Sequence, residues 1–435
     1  LVAAVGLGLI FLPFLGSAAI LLPFLLGGAG LMVAALGILL IKFLKYDLYK
    51  ILNKIIWLAS ILIAVISFFI IKYTVQNMGL FWSFLIGLFG GLIICLITEY
   101  YTSEKRRPTK ALAAAAQSGP SINIIAGLSL GFFSVIITTI VELAIIYFAY
   151  KFGDIYGLAL ASLGLLSVLG INLAVNTFGP MVDNAAGIIE MAGMSPGIRK
   201  RLAEIDASGN TRAAMGKGLA IASATLVALV FLFSFVKIFG LNAVDFLNIK
   251  TLVGLFIGGL MPFVFSAVAM RAIGRGAAKI IKEARRQIDE VGGLMSGLLA
   301  GGQGSAEPDY NRCLKIATNE SLKRMIILGF LALVAPVALG VWLGAETLAG
   351  FLIGAILVSF LLSTFMANAG GAWDNAKKII ESSSRKIRTS ETLEAAVVGD
   401  TIGDPFKDAV GPALNILIKL MAIISLIIIP LIALK

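Results

Sequence analysis

The chain of 435 residues contains no histidine. That absence excludes Ser-His-Asp and Cys-His catalysis, histidine-ligated zinc and haem held through histidine. The only cysteines, Cys95 and Cys313, stand far apart in the sequence and fit apolar or inert thiols better than a disulfide framework. No Gly-x-x-x-x-Gly-Lys-[Ser/Thr] run occurs, so a P-loop nucleotide site is excluded. Charged residues are scarce, 14% of the chain, and are crowded into short polar stretches. The longest stretch, about 271–324, is too short for a soluble nucleotide-binding domain. It carries Lys279-Ile280-Ile281-Lys282-Glu283-Ala284-Arg285-Arg286, which reads as a helix with a charged face. The glycine-rich tract 292–304 is expected to break that helix.

What fills the chain is apolar. Apolar residues make up 59%, and the mean hydropathy of +0.99 lies far above soluble usage. Runs long enough to cross a bilayer recur throughout. They lie near 1–15, then at 17–42, 52–72, 79–98, 122–150, 155–182, 213–240, 250–270, 325–344, 348–372 and 411–434. The fold class expected is all-α: a polytopic transmembrane bundle of about eleven spans, forming one helical domain over 1–435. The first residue is Leu1, inside an apolar run and without a signal-peptide n-region, so the expectation is an N-terminally truncated chain whose first span is incomplete.

Five alternate loops, 42–54, 99–121, 183–217, 271–324 and 374–410, hold 29 of the 35 Lys and Arg residues. That alternation is the positive-inside pattern and places these loops in the cytoplasm. It also accounts for the net charge of +11 without nucleic acid as a partner. The same loops hold 20 of the 24 acidic residues, which topology does not require. A face shared by carboxylates and amines suits a metal and a polyanion.

The densest of these clusters is Gly399-Asp400-Thr401-Ile402-Gly403-Asp404-Pro405-Phe406-Lys407-Asp408. Carboxylates are costly near a bilayer, and a cluster of them is a functional-site hypothesis. Oxygen ligands on a short pitch suit a hard cation such as Mg²⁺, and a lysine beside them suits a phosphate oxygen. Asp404, Lys407 and Asp408 fall within about one helical turn and are expected to share a face. Asp400 lies a turn earlier across Pro405, so its alignment is left open.

Three more constellations combine a carboxylate or carboxamide with basic and small residues: 179–191, 206–218 and 366–378. Read alone, each has a plainer account. Asn210 can cap the following helix. Lys377 and Lys378 can be positive-inside flanks. Asp183-Asn184 can be a turn. Any phosphoanhydride used here must be small and held by the membrane helices themselves.

On these residues the chain resembles the membrane-bound, ion-translocating inorganic pyrophosphatases. The matching runs are Gly-Pro-x-x-Asp-Asn-Ala-x-Gly-Ile-x-Glu-Met at 179–191, Gly-Asn-Thr with Gly-Lys-Gly at 209–218, Met-Ala-Asn-Ala-Gly-Gly-Ala-Trp-Asp-Asn-Ala-Lys-Lys at 366–378, and Ala-Val-Val-Gly-Asp-Thr-Ile-Gly-Asp-Pro-Phe-Lys-Asp at 396–408. Weaker matches are Leu96–Ser103 and Pro308–Tyr310. The resemblance implies a homodimeric helical bundle in a lipid bilayer. It would hydrolyse pyrophosphate on the cytoplasmic side and pump H⁺ or Na⁺. It implies Mg²⁺ held by Asp183, Asn210, Asp374, Asp404 and Asp400, phosphate oxygens held by Lys377 and Lys407, and Asp408 as general base on the attacking water. Ala213 and Gly216 match the subgroup that requires K⁺, with Arg212 beside them where threonine is usual.

The resemblance also implies an ion gate at Lys419, with Asn415 one turn before it. Lys419 is a basic residue inside a spanning run; a buried ammonium there needs a carboxylate partner, and snorkelling to the interface is the alternative. Departures from the family pattern are Asn176 in place of aspartate and Leu393-Glu394 in place of a His-Lys pair. A family segment that supplies further magnesium ligands and lysines precedes the region where this chain begins, so the fragment alone is expected to be inactive. A non-catalytic membrane subunit and a secondary ion transporter remain as alternatives. Glu142, acidic within an apolar run and outside the matching motifs, is read as packing or interface.

Overall fold

A computed structural model describes residues 1–41, 48–192, 195–241, 243–290, 308–383, 387 and 389–433. Every regular element among them is a helix. In order these are α1 (Val2–Ile10), α2 (Leu12–Leu15), α3 (Ala18–Ile41), α4 (Leu48–Thr74), α5 (Met78–Thr102), α6 (Arg107–Ala115), α7 (Pro120–Leu166), α8 (Leu169–Met191), α9 (Pro196–Phe239) and α10 (Ile249–Glu290). Then come α11 (Tyr310–Leu343), α12 (Ala345–Glu381), α13 (Ser390–Asp404), a π-helical stretch Pro405–Val410, α14 (Gly411–Ile427) and α15 (Ile429–Ala433). In a bilayer each backbone polar group must be satisfied within its own segment, which the helix does.

Nine helices among the described residues are long and apolar enough to cross a membrane. The expected count of eleven is therefore not reproduced. The run at 1–15 is split into the short α1 and α2, and 155–182 is divided between the end of α7 and α8. Within α7 the sequence expectation of two runs does find a physical counterpart. Asp154 has φ of 53°, outside the helical region, and the chain doubles back there. Before it, Gly79 and Gly90 of α5 lie against Phe152 and Ile145, an antiparallel register. After it, Ser83, Gly87 and Gly91 lie against Gly157, Ala161 and Leu165, a parallel one. Small residues at these crossings let the backbones meet.

The charged stretches expected as loops are largely helix. α9 runs unbroken through Asn210, so that residue is not a helix cap. α12 continues through Asp374 and both lysines, and α13 resumes at Ser390. Helices thus project past the apolar slab and carry the charges at one end of the bundle. The charged face at 279–286 is the end of α10, as the pattern predicts; the glycine tract 292–304 lies outside the described residues. Cys95 is buried and Cys313 half-buried, both as free thiols.

α12 is the spine of the molecule. It is the most enclosed of the spanning helices, packed against α5, α7, α9, α10, α13 and α14. Against α10 it runs parallel along a small-residue seam: Gly254 and Gly258 meet Thr347 and Phe351, while Gly350 and Gly354 meet Thr251 and Leu255. The last turns of α12 carry the chemistry described next.

Candidate active site

Two anchors fix the end of α12. Trp373 is fully buried and donates through Nε1 to the Asn123 carbonyl at 3.2 Å, while Asn123 Nδ2 donates to the Ala395 carbonyl at 2.7 Å. α7, α12 and α13 are thereby tied at one level. On the other side Asn375 Nδ2 donates to the Thr102 carbonyl at 2.7 Å and to Thr211 Oγ1 at 3.0 Å, joining α5 and α9. A methyl group at Gly403 would stand 3.1 Å from the Gly370 Cα, so α12 and α13 touch backbone to backbone.

That contact brings Asp374 against Lys407, which form a direct ion pair. Lys407 also reaches Asp404 at 3.0 Å and Asp408 at 3.7 Å. Pro405 has no N–H to give, and the chain passes through 405–410 as a π-helical turn, a widened form found often at functional sites. The turn holds Lys407 inward and leaves Asp408 half-exposed, where Lys217 of α9 meets it at 2.6 Å. Lys377 pairs with Asp400 at 2.8 Å. Lys378 bridges Asp206 at 2.5 Å and Asp374 at 3.3 Å.

Ligand oxygens of Asp374, Asp400 and Asp404 all lie within 4.8 Å of one another. One Asp400 oxygen, Oδ1, is buried without a hydrogen-bond partner. An orphaned carboxylate oxygen facing two further carboxylates is a donor set suited to a hard divalent cation. The lysines are spent on carboxylates and are placed to exchange these for the oxygens of a polyanion. Asp404 and Asp408 line the open side, and Asp374 and Asp400 the buried floor.

The family profile described as inorganic H⁺ pyrophosphatase matches residues 1–428. The chain belongs to that family. Its relatives include the K⁺-insensitive pyrophosphate-energized proton pump of Methanosarcina mazei, 37% identical over 95% of this chain and 62% of that protein. The K⁺-stimulated pyrophosphate-energized sodium pump of Thermotoga maritima is 37% identical over 93% of this chain and 59% of its own length. A K⁺-insensitive proton pump of Chloroflexus aurantiacus is 40% identical over 81% and 48%. The chain spans about three-fifths of the length of the curated relatives it matches first, 61% in two of them and 62% in a third. These matches cover nearly all of the chain and lend no support to the expectation that it is inactive.

Within this member of the family the structure gathers Asp374, Asp400, Asp404, Lys377, Lys407 and Asp408. Asp400, whose alignment the sequence left open, joins the cluster because α13 stays helical up to Asp404. Asn210 is half-buried on α9, one residue from Thr211, and its Nδ2 has no partner. Asp183 lies on α8, with its side chain outside the described residues. Ala213 and Gly216 sit on α9 between Asn210 and Lys217. Arg212 is fully buried and donates to Asn53 Oδ1 of α4 at 2.5 Å. Lys419 and Asn415 lie on α14, apart from the cluster.

Three members were not picked out from sequence. Lys217 lies in the Gly216-Lys217-Gly218 run; a lysine between glycines at the start of an apolar stretch was the available signal. Asp206 stood at the head of the same motif and was passed over. Lys378 has a plainer reading as a topological flank, and here it pairs with Asp206 and Asp374.

Proposed function

We propose that this chain carries the hydrolytic end of a membrane pump that cleaves inorganic pyrophosphate to two phosphates and moves H⁺ or Na⁺ across the bilayer. The observation that carries the proposal is the interleaved cluster of Asp374, Asp400, Asp404 and Asp408 with Lys217, Lys377, Lys378 and Lys407. Membership of the family supports the choice of substrate and of transported ion.

Asp374, Asp400 and Asp404 would hold Mg²⁺, with Asp183 and Asn210 as the further ligands that the resemblance implies. Bound there, Mg²⁺ neutralises charge on the phosphate oxygens. Lys377 and Lys407 hold phosphate oxygens as point charges, and Lys217 and Lys378 stand ready to do the same. Pyrophosphate enters from the half-exposed side lined by Asp404 and Asp408. Asp408, accessible like Asp404, is held by Lys217; it orients a water and accepts its proton as that water attacks phosphorus. The lysines then stabilise charge on the departing phosphate. The positive-inside pattern supports a cytoplasmic site.

Pyrophosphate hydrolysis by the natural-length protein in membranes, followed as phosphate release across a Mg²⁺ titration, tests the proposal. Activity that rises with Mg²⁺ and falls about 10²–10⁴-fold in Asp408→Asn, with folding intact, is expected. Near-normal turnover in that variant would sink the assignment of the base.

A further inference from the structure

Glu142 lies in α7, far from the carboxylate–lysine cluster, and the chemistry above makes no use of it. It is 2% exposed, and neither carboxylate oxygen has a partner among the described residues. From Glu142 to the turn at Asp154 is about 18 Å of helix at 1.5 Å per residue. With the turn at Asp154 taken as the edge of the apolar slab, that distance is close to half the hydrocarbon thickness of a bilayer and puts the group near mid-membrane. A bare carboxylate cannot stay there: isolated buried charge is among the costliest features a membrane protein can hold. Packing alone would be served better by leucine or glutamine.

The neighbouring oxygens explain how the cost is met. Thr139 Oγ1, three residues earlier, is also buried without a partner. Thr138, four residues earlier, is 3% exposed and gives its proton to the Ser134 carbonyl at 2.8 Å, which leaves its lone pairs free. Positions 138 and 139 lie one helical turn before Glu142 on the same face, with no hydrogen bond between their hydroxyls and the carboxyl. The same face continues to Ser134, whose Oγ accepts from Asn368 Nδ2 of α12 at 3.0 Å. Asn368 stands about 9 Å of helix below Asp374. A polar stripe therefore links the middle of the membrane to the floor of the cluster.

Among the described residues no charged side chain pairs with Glu142. Glu99 of α5 meets Arg106, Arg212 of α9 meets Asn53, Lys217 meets Asp408, and Asp374 of α12 meets lysines. Cys95 of α5 is a buried free thiol. We propose that Glu142, with the hydroxyls of Thr138 and Thr139, forms an intramembrane binding site for one monovalent cation, H⁺ or Na⁺. A proton or a sodium ion on the carboxylate removes the cost of burying it, and the hydroxyl oxygens suit either. The site rests on the placement of α7 in the bilayer and not on pyrophosphate chemistry.

Membranes holding the natural-length protein are treated with a lipid-soluble carbodiimide, which attacks protonated carboxyls, and the peptide bearing Glu142 is followed by mass spectrometry. Infrared difference spectra of wild type minus Glu142→Gln record the protonated carbonyl band directly and need no reagent access. No pyrophosphate is present, so the outcome is independent of the hydrolysis assay. Adduct or band falling several-fold with added Na⁺, against choline at the same pH, identifies a sodium site. A fall with alkaline pH but not with Na⁺ identifies a proton site. Movement of either signal supports the proposal; if neither adduct nor band responds to Na⁺ or pH, Glu142 is inert packing and the proposal is overturned.

Discussion

At the scale of single residues, Lys217 links two questions. It pairs with Asp408, the proposed base, and Ala213 stands one helical turn before it on the same face of α9. An ammonium tethered at 213 would add one compact positive charge beside Lys217, which is what a bound K⁺ would supply. The wild-type protein is accordingly expected to be activated by K⁺, and Ala213→Lys to hydrolyse pyrophosphate at a rate that no longer responds to it. A flat K⁺ titration in the wild type would mean that another group already supplies the charge. Arg212 is a poor choice for that group, because its guanidinium is engaged by Asn53 of α4. Lys217→Met is expected to lower turnover by about 10²-fold, the usual cost of one lost electrostatic contact to developing charge. The carboxylates were legible in the sequence because they are expensive near a membrane and stand out. Lys217, Lys378 and Asp206 were less so, since a basic flank or a short acidic residue has an ordinary topological reading. Only their pairing across α9, α12 and the π-helical turn gives them a role.

At the scale of elements, the site depends on the backbone contact between Gly370 of α12 and Gly403 of α13. A side chain at 403 would press on Gly370 and on Trp373, which is fully buried and has no room to yield. Gly403→Ala is expected to cost about 1–3 kcal/mol through overpacking, read as a lower melting temperature in detergent. It should also move Asp404 and Lys407 relative to Asp374, so hydrolysis should fall more steeply than stability alone explains. Melting and turnover both equal to wild type would show that the two helices have slack. Apolar runs made the helical class and most of the spans readable, because the bilayer imposes length and hydropathy directly. Boundaries were not readable in the same way. Hydropathy falls where α9 and α12 leave the slab, but the helices continue, and so segments expected as loops carry Asn210 and Lys377 on rigid turns. The reversal at Asp154 was visible as a gap between two runs although its backbone never leaves the helical pattern for more than one residue.

At the scale of the whole molecule, hydrolysis at one end must be felt inside the membrane if an ion is to move. The π-helical turn passes directly into α14, and Asp408 and Lys419 are about 16 Å apart along that axis. A π-helical turn can relax to α-helix by shifting register, so the substrate binding proposed at Lys407 and Asp408 would have a mechanical route to Lys419. Lys419 is half-buried, Asn415 is buried one turn before it, and among the described residues Lys419 pairs with no carboxylate. Two accounts compete. In one, the ammonium is a gate whose counter-charge is engaged only in the working protein; in the other, it snorkels to the interface and does nothing for transport. Lys419→Ala separates them in sealed vesicles. As a gate, its loss should lower ion uptake by about tenfold, within the usual range of coupling between distant sites. Hydrolysis should fall much less, because no phosphate contact is touched. Measuring uptake and phosphate release on the same vesicles gives the number of ions moved per pyrophosphate, and an unchanged ratio would return Lys419 to the snorkelling account.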